Sequence, residues 1–176
     1  MGTKIKNDLN QKYGRGIIWT HWLTALLILV LVLSSLKMAG FESIDRMGII
    51  IMHLIIGSSV FLLTIARSFL FFKTKQPDHL KTGSKFVDKF VVWNHYLFYV
   101  LLFVISIMGI VVVISGNYIE GISRWNLENI IPPKEIPMLK YHVLVTLFIV
   151  LFAIIHILGV AKHYIFTKEN TLKRIF

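Results

Sequence analysis

Four long stretches without a charged residue limit what this chain can fold into. They cover residues 16–36, 47–66, 90–116 and 141–161. Each has at least 20 residues, roughly the length that an α-helix needs to cross the hydrocarbon core of a bilayer. Because backbone groups in lipid must satisfy their hydrogen bonds internally, such stretches form helices. The sequence predicts one domain over residues 1–176, an all-α integral membrane four-helix bundle with spans at about 16–36, 47–71, 90–116 and 139–163.

The composition supports this class and excludes several others. The chain is 56% hydrophobic and 16% charged, whereas soluble domains average about 45–50% and about 25%. It contains no cysteine, which excludes a disulfide framework, an iron–sulfur cluster, thiolate-ligated haem and covalently attached c-type haem.

The positive charge alternates between the segments that connect the spans. The two tails and the second connecting segment are rich in cations, and the other two segments are balanced. The positive-inside rule then places both termini and the second connecting segment in the cytoplasm. This pattern accounts for the net charge of +10 without a nucleic-acid partner. The cations of the three basic segments are Lys4, Lys6, Lys12 and Arg15, then Lys73, Lys75, Lys81, Lys85 and Lys89, and finally Lys162, Lys168, Lys173 and Arg174.

Histidines inside the spans carry most of the functional information, because an ionisable group in lipid is costly and usually has a partner. His21 lies in the first span, His53 in the second, and His142 and His156 in the fourth. A single such histidine is most simply a hydrogen-bonded packing residue. Four such histidines together favour a functional site, in which the imidazoles bind a cofactor or metal or carry protons.

The expected depths of these histidines arrange them in pairs. His21 follows Arg15 by six residues and His156 precedes Lys162 by six, so both lie about 9 Å from the cytoplasmic boundary. His53 and His142 both lie near the outer boundary. Fourteen residues separate His142 from His156, so the two project from one helix face about 21 Å apart.

Two imidazoles that face each other across a bundle suit the six-coordinate iron of a haem b. Zinc usually needs three or four clustered ligands, and a proton relay commonly includes Asp or Glu. No acidic residue lies in the charge-free stretches. Bis-histidine haem b at two levels is therefore the preferred interpretation, with a zinc site or a proton relay as the alternatives.

The chain resembles the bacterial cytochrome b561 family of four-helix, di-haem inner-membrane proteins. The resemblance runs from about Tyr13 to Ile175. It implies that the four axial ligands are His21, His53, His142 and His156. The residues that carry it are Tyr13-Gly14-Arg15, Thr20-His21-Trp22, Met52-His53, Gly57, Arg67, Asn94-His95-Tyr96, Tyr141-His142, His156, Lys162-His163-Tyr164 and Glu169-Asn170-Thr171-Leu172.

The resemblance also implies a function: electron transfer between a donor on the periplasmic side and membrane quinone, with superoxide as one candidate donor. A field that steers an anion needs an excess of cations. The two outer segments together hold five cations and five anions, so they provide no such excess. These are Lys37, Arg46, Arg124, Lys134 and Lys140 against Glu42, Asp45, Glu120, Glu128 and Glu135.

Two further residues are candidate cofactor-binding groups near the cytoplasmic level. Arg67 is positioned to pair with a haem propionate, and its alternative is a boundary charge that snorkels to the surface. His95 is expected near the inner haem, where it would contact a propionate or a quinone head group. Quinone binding is expected there, lined by some of His95, Arg67 and His163.

Two other functions stay open. The chain is alternatively the cytochrome b membrane subunit of a larger dehydrogenase or hydrogenase, which takes electrons from an iron–sulfur partner. The other alternative is haem-free, a small transporter or scaffold whose histidines carry protons or bind metal.

Overall fold

The structure is a computed structural model that describes residues 8, 11–38, 43–79, 81 and 84–176, without the side chains of residues 43–45. Four groups in the charge pattern of the sequence lie outside the described residues: Lys4, Lys6, Glu42 and the side chain of Asp45. The helices are α1 (Arg15–Met38), α2 (Ser43–Lys73), α3 (Lys85–Ser115), α4 (Tyr118–Ser123) and α5 (Pro137–Thr167), with 3₁₀ turns at Leu127–Asn129, Pro133–Glu135 and Thr171–Arg174.

The four long helices cover the four predicted spans except for Gly116, which follows α3, and each is long and apolar enough to cross a membrane. The described residues include no strand. The all-α, four-helix membrane fold predicted from the sequence is thereby confirmed. The side assigned to each terminus stays a prediction.

Local sequence explains where α3 and α5 end and begin. Gly116 follows α3 where the chain turns tightly, and a Cβ there would lie 2.7 Å from the Ile136 side chain. Pro137 occupies the first turn of α5, where its missing N–H leaves no helical hydrogen bond unmade. Lys168 ends α5 in a left-handed conformation (φ 60°), and its N–H donates to the Tyr164 carbonyl.

The long helices pack chiefly as two pairs, α1 with α2 and α3 with α5, and α2 joins the pairs through α3. A buried cluster of Val60, Leu102 and Ile149 lies where the pairs meet. Ile149 is seven residues from both His142 and His156, so this apolar cluster separates two levels of polar residues.

Most large apolar side chains on the outside of the bundle are exposed, as expected where lipid replaces water. At the end of the bundle opposite the two tails, called the outer end after the predicted topology, α4 and two 3₁₀ turns connect α3 to α5. There, burial raises the pKa of the Tyr118 phenol, and the charge of Arg46 opposes the rise. These two side chains bring the start of α2 close to α4.

Candidate haem-binding sites

The outer site consists of two imidazoles that face each other across the bundle. His53 of α2 and His142 of α5 have ring centroids 6.5 Å apart. An imidazole nitrogen lies about 2 Å from a metal that it ligates. Its ring centroid is about 1 Å further away, so two imidazoles on opposite sides of one ion have centroids roughly 6–6.5 Å apart. The observed separation matches that arrangement.

Ser34 of α1 fixes the ring of His53. Its Oγ lies 2.9 Å from His53 Nδ1 and donates to the Leu31 carbonyl at 2.8 Å. Since the single hydroxyl proton is used by Leu31, Oγ accepts from Nδ1–H. This tautomer leaves the Nε2 lone pair of His53 available to a metal.

His142 has a different environment. Its buried Nδ1 forms no hydrogen bond with the described residues, although its ring faces the backbone of Ile105. Gly109 of α3 lies beside the ring, where an added Cβ would be 3.4 Å from His142 Cε1. At Gly57, four residues after His53, an added Cβ would meet nothing within 4 Å. Space for a flat ligand is therefore open on this side.

The inner site is a cavity of about 560 Å³ at the opposite end of the bundle. This volume lies within the usual range of small-molecule and cofactor sites, about 300–1,000 Å³. His21 of α1 and His156 of α5 both line the cavity. Gly159, one turn after His156, also lines it, and an added Cβ there would meet nothing within 4 Å.

Two neighbouring residues of α3 contact His156. Asn94 is buried, with its Nδ2 3.4 Å from His156 Nδ1. The ring centroid of His95 lies 5.2 Å from that of His156. His95 Nδ1 donates to the Val91 carbonyl at 2.8 Å, so the Nε2 of His95 carries no proton while the ring is neutral.

Arg67 of α2 brings a positive charge to this cavity. Its guanidinium carbon lies 5.3 Å from the centroid of the Tyr99 ring, within the range of a cation–π contact. Its Nε is buried and has no hydrogen-bond partner among the described residues. A buried donor on a cation favours an anionic acceptor such as a carboxylate.

Residues near both ends of the chain line one side of the cavity. His163 lines it, and its Nε2 lies 3.2 Å from Glu169 Oε2. The final residues pack against α1: the indole N–H of Trp22 donates to the Ile175 carbonyl at 2.9 Å, and Arg174 Nε donates to the Gln11 carbonyl at 3.0 Å. The chain's two ends therefore close this side of the cavity together.

All six candidate residues from the sequence fall into these two places. His53 and His142 form the outer pair, and the other four line the inner cavity: His21, His156, Arg67 and His95. Sequence reasoning gave no role to Ser34, Asn94 or Tyr99. Ser34 and Asn94 are polar residues in apolar stretches, and Asn94 also stands in the Asn94-His95-Tyr96 motif of the family resemblance; these were the signals that pointed to them.

These surroundings fit a bis-histidine haem better than a metal cluster. Among the described residues, no three His, Asp or Glu side chains come together as a metal-binding group. The candidate ligands instead occur in twos. The unpaired buried Nδ1 of His142, the open space beside Gly57 and Gly159, and the unpaired guanidinium nitrogen of Arg67 in the inner cavity all agree with a flat, anionic cofactor held by imidazoles.

Fold and site together define a multi-pass membrane protein with imidazole pairs at two levels. The family model for prokaryotic cytochrome b561 matches residues 12–176, and the chain belongs to that family. It is thus a membrane cytochrome b of electron transfer, and membership implies haem b. No curated protein matches the chain.

Proposed function

We propose that this protein is a di-haem b cytochrome of the bacterial inner membrane that transfers electrons between a periplasmic-side donor and membrane quinone. The observation that supports the proposal is the placement of four histidines: the rings of His53 and His142 lie 6.5 Å apart, and His21 and His156 line one cavity at the other end of the bundle. Each bound haem b supplies a one-electron ferric/ferrous couple.

The chain's own residues hold, separate and shield these groups. His142 and His156 are fourteen residues apart on α5, which sets the two levels about 21 Å apart. The cluster of Val60, Leu102 and Ile149 lies between them and excludes water. At the inner level, the charge of Arg67 would balance a propionate, whose burial would otherwise be costly.

Quinone is proposed to bind near the inner haem, at the part of the inner cavity lined by some of His95, Arg67 and His163. This cavity is lined mainly by apolar and aromatic side chains, and its polar groups include His95, Arg67 and His163. An isoprenoid quinone needs an apolar channel for its tail and hydrogen-bonding groups for its two carbonyl oxygens. The cavity provides both kinds of surface beside His156.

At the proposed donor side, a cation of the outer segment is paired with an anion. Arg124 forms an exposed ion pair with Glu120 at 3.3 Å, so this cation of the outer segment is already neutralised. An anionic donor such as superoxide gains no steering from that pair. Superoxide is therefore a candidate that the test below must distinguish from a protein donor.

A pyridine haemochrome assay on the purified full-length protein tests the central proposal. We expect haem b at about two per chain. A preparation that is folded, by its helical circular dichroism, and binds no haem when haem is supplied would overturn the proposal. In a protein that holds two haems, stopped-flow reduction by superoxide and by membrane-extracted protein donors would then identify the donor.

A further inference from the structure

The two helix pairs each contain one hydrogen-bonded candidate ligand. In the α1–α2 pair, Ser34 of α1 contacts His53 of α2. In the α3–α5 pair, Asn94 of α3 contacts His156 of α5. These are neighbouring helices in both cases, and both polar residues are buried, at 3% and 6% exposure.

The partner ligands in the proposed pairs lack such a contact or have a weaker one. His142 Nδ1, the counterpart of His53 at the outer level, is buried without a hydrogen bond to the described residues. His21 has Trp22 as its ring neighbour, at 5.4 Å between centroids. Each proposed haem level thus combines one imidazole that contacts a buried side chain, from Ser34 or Asn94, with one imidazole for which no such contact is seen among the described residues.

The contact between Asn94 and His156 determines which nitrogen of His156 can bind a metal. If Asn94 Nδ2 donates to Nδ1, the proton of the neutral ring lies on Nε2, and Nε2 cannot bind iron. Asn94 Oδ1 is buried and unpartnered among the described residues. Rotating the amide by 180° lets Oδ1 accept from Nδ1–H, which satisfies that oxygen and frees the Nε2 lone pair.

We infer that Ser34 and Asn94 are positioning residues, one for each haem, that fix the tautomer and orientation of His53 and His156. This inference rests on the proposed function, since it requires the two histidine pairs to be axial ligands. A hydrogen-bond acceptor at Nδ1–H raises the basicity of a ligating imidazole. A more basic imidazole stabilises ferric over ferrous iron, so each contact lowers the midpoint potential of its own haem.

The test is a redox titration of Ser34→Ala and Asn94→Leu in the full-length, haem-loaded protein, together with low-temperature electron paramagnetic resonance. Both variants should retain about two haems. Ser34→Ala should favour the ferrous form of the outer haem by about three- to tenfold. The upper value corresponds to about +59 mV for a one-electron couple. Asn94→Leu should shift the inner haem in the same direction and leave the outer one unchanged.

Matched variants separate positioning from general packing. Ser35→Ala removes a hydroxyl that bonds only to its own helix, at the Val32 carbonyl. Ser68→Ala does the same at the Thr64 carbonyl. Ser35→Ala and Ser68→Ala should leave the midpoint potentials of the two haems unchanged. Ser34→Thr keeps the hydroxyl and should therefore retain the outer-haem potential of the parent protein.

The outcomes distinguish this inference from the proposed function. Two haems with unchanged potentials and spectra in Ser34→Ala and Asn94→Leu would overturn the inference and leave the di-haem function intact. Equal shifts in the control variants would overturn it as well. If the parent protein itself bound no haem, the proposed function would fail first.

Discussion

Unpaired buried polar atoms are the residue-scale feature that most closely links this structure to its cofactor. Such atoms are uncommon in folded proteins because each one costs free energy comparable to a lost hydrogen bond. Among the described residues, four of the five such atoms lie at the two candidate sites: Arg67 Nε, Gln76 Oε1 and Asn94 Oδ1 at the inner cavity, and His142 Nδ1 at the outer pair. Asn94 Oδ1 is satisfied by His156 once its amide is rotated, so Arg67 Nε, a buried donor on a cation, is the clearest candidate to contact an anionic ligand.

The first prediction is that the two haems can be removed separately. Each haem takes one ligand from α5, and its other ligand comes from a different helix. His21→Ala should therefore remove the inner haem and spare the pair of His53 and His142, whereas His53→Ala should remove the outer haem. Each variant should hold about one haem per chain, measured by pyridine haemochrome assay and low-temperature spectra.

Loss of the same haem from both variants would contradict this pairing, as would retention of two low-spin haems in both. His95 would then be the next candidate ligand, since its ring lies 5.2 Å from that of His156. His163 is less suited, because its Nε2 already contacts Glu169. Lys162→Ala is a suitable control: Lys162 also lines the cavity but has no proposed ligand role.

The grouping of the histidines at two ends of the bundle was predictable because helix rise alone sets their positions along the helices. Six residues from a boundary charge give the level of His21 or His156 without any knowledge of packing. The partners of these rings were not predictable in the same way. Ser34 reaches His53, and Asn94 reaches His156, only through the rotation and pairing of neighbouring helices. Charge-free runs define spans and do not define rotation.

At the scale of the elements, the packing of the two helix pairs depends on small, well-defined contacts. Lipid provides no hydrophobic drive between helices, so their association rests on close packing and buried hydrogen bonds. The cluster of Val60, Leu102 and Ile149 joins residues from three helices. It also lies between the two candidate sites and separates them with buried apolar side chains.

The second prediction concerns this cluster. Ile149→Ala removes a side chain that is 3% exposed, and it should lower the free energy of unfolding by about 2–5 kcal/mol. The measurement is denaturant unfolding in mild detergent, followed by circular dichroism. Ile154→Ala on the same helix is the control, because Ile154 is 50% exposed and faces detergent. Equal losses in both variants would show that the cluster has no special role.

The third prediction places quinone at the inner cavity. A photoreactive quinone analogue should label the segments that line this cavity, at the end of α2, the start of α3 and the end of α5. Excess unlabelled quinone should prevent the labelling, and Arg67→Leu should weaken it because the cavity loses a cation whose buried Nε has no partner among the described residues. The measurement is mass spectrometry of the labelled peptides. Labelling confined to residues 105–145 would place the site at the outer level instead.

At the scale of the whole molecule, the two ends of the bundle differ in charge and in the presence of the inner cavity, which predicts how the bundle is oriented in the membrane. The cavity lies at the end where both tails meet: Tyr13 N–H donates to the Arg174 carbonyl at 3.0 Å, and Lys12 Nζ donates to the Phe176 carbonyl at 2.9 Å. The helix count is even, so the two tails must lie on the same side of the membrane. The contacts between them agree with this requirement.

The fourth prediction is that this end faces the cytoplasm. Residues 1–15, 73–89 and 162–176, which include the adjoining ends of the helices, contain 13 of the chain's 19 Lys and Arg residues, and such segments are retained on the cytoplasmic side during insertion. A phosphatase reporter, which is active only in the periplasm, should therefore be inactive after Phe176 or Lys81 and active after Lys134. A green fluorescent reporter, which folds in the cytoplasm, should give the reciprocal pattern at the same three positions.

Phosphatase activity after Phe176 together with fluorescence after Lys134 would show that the orientation is the reverse, with the proposed quinone cavity in the periplasmic leaflet. The two reporters read opposite compartments, so a fusion that merely fails to fold is silent in both and is not mistaken for an inverted one.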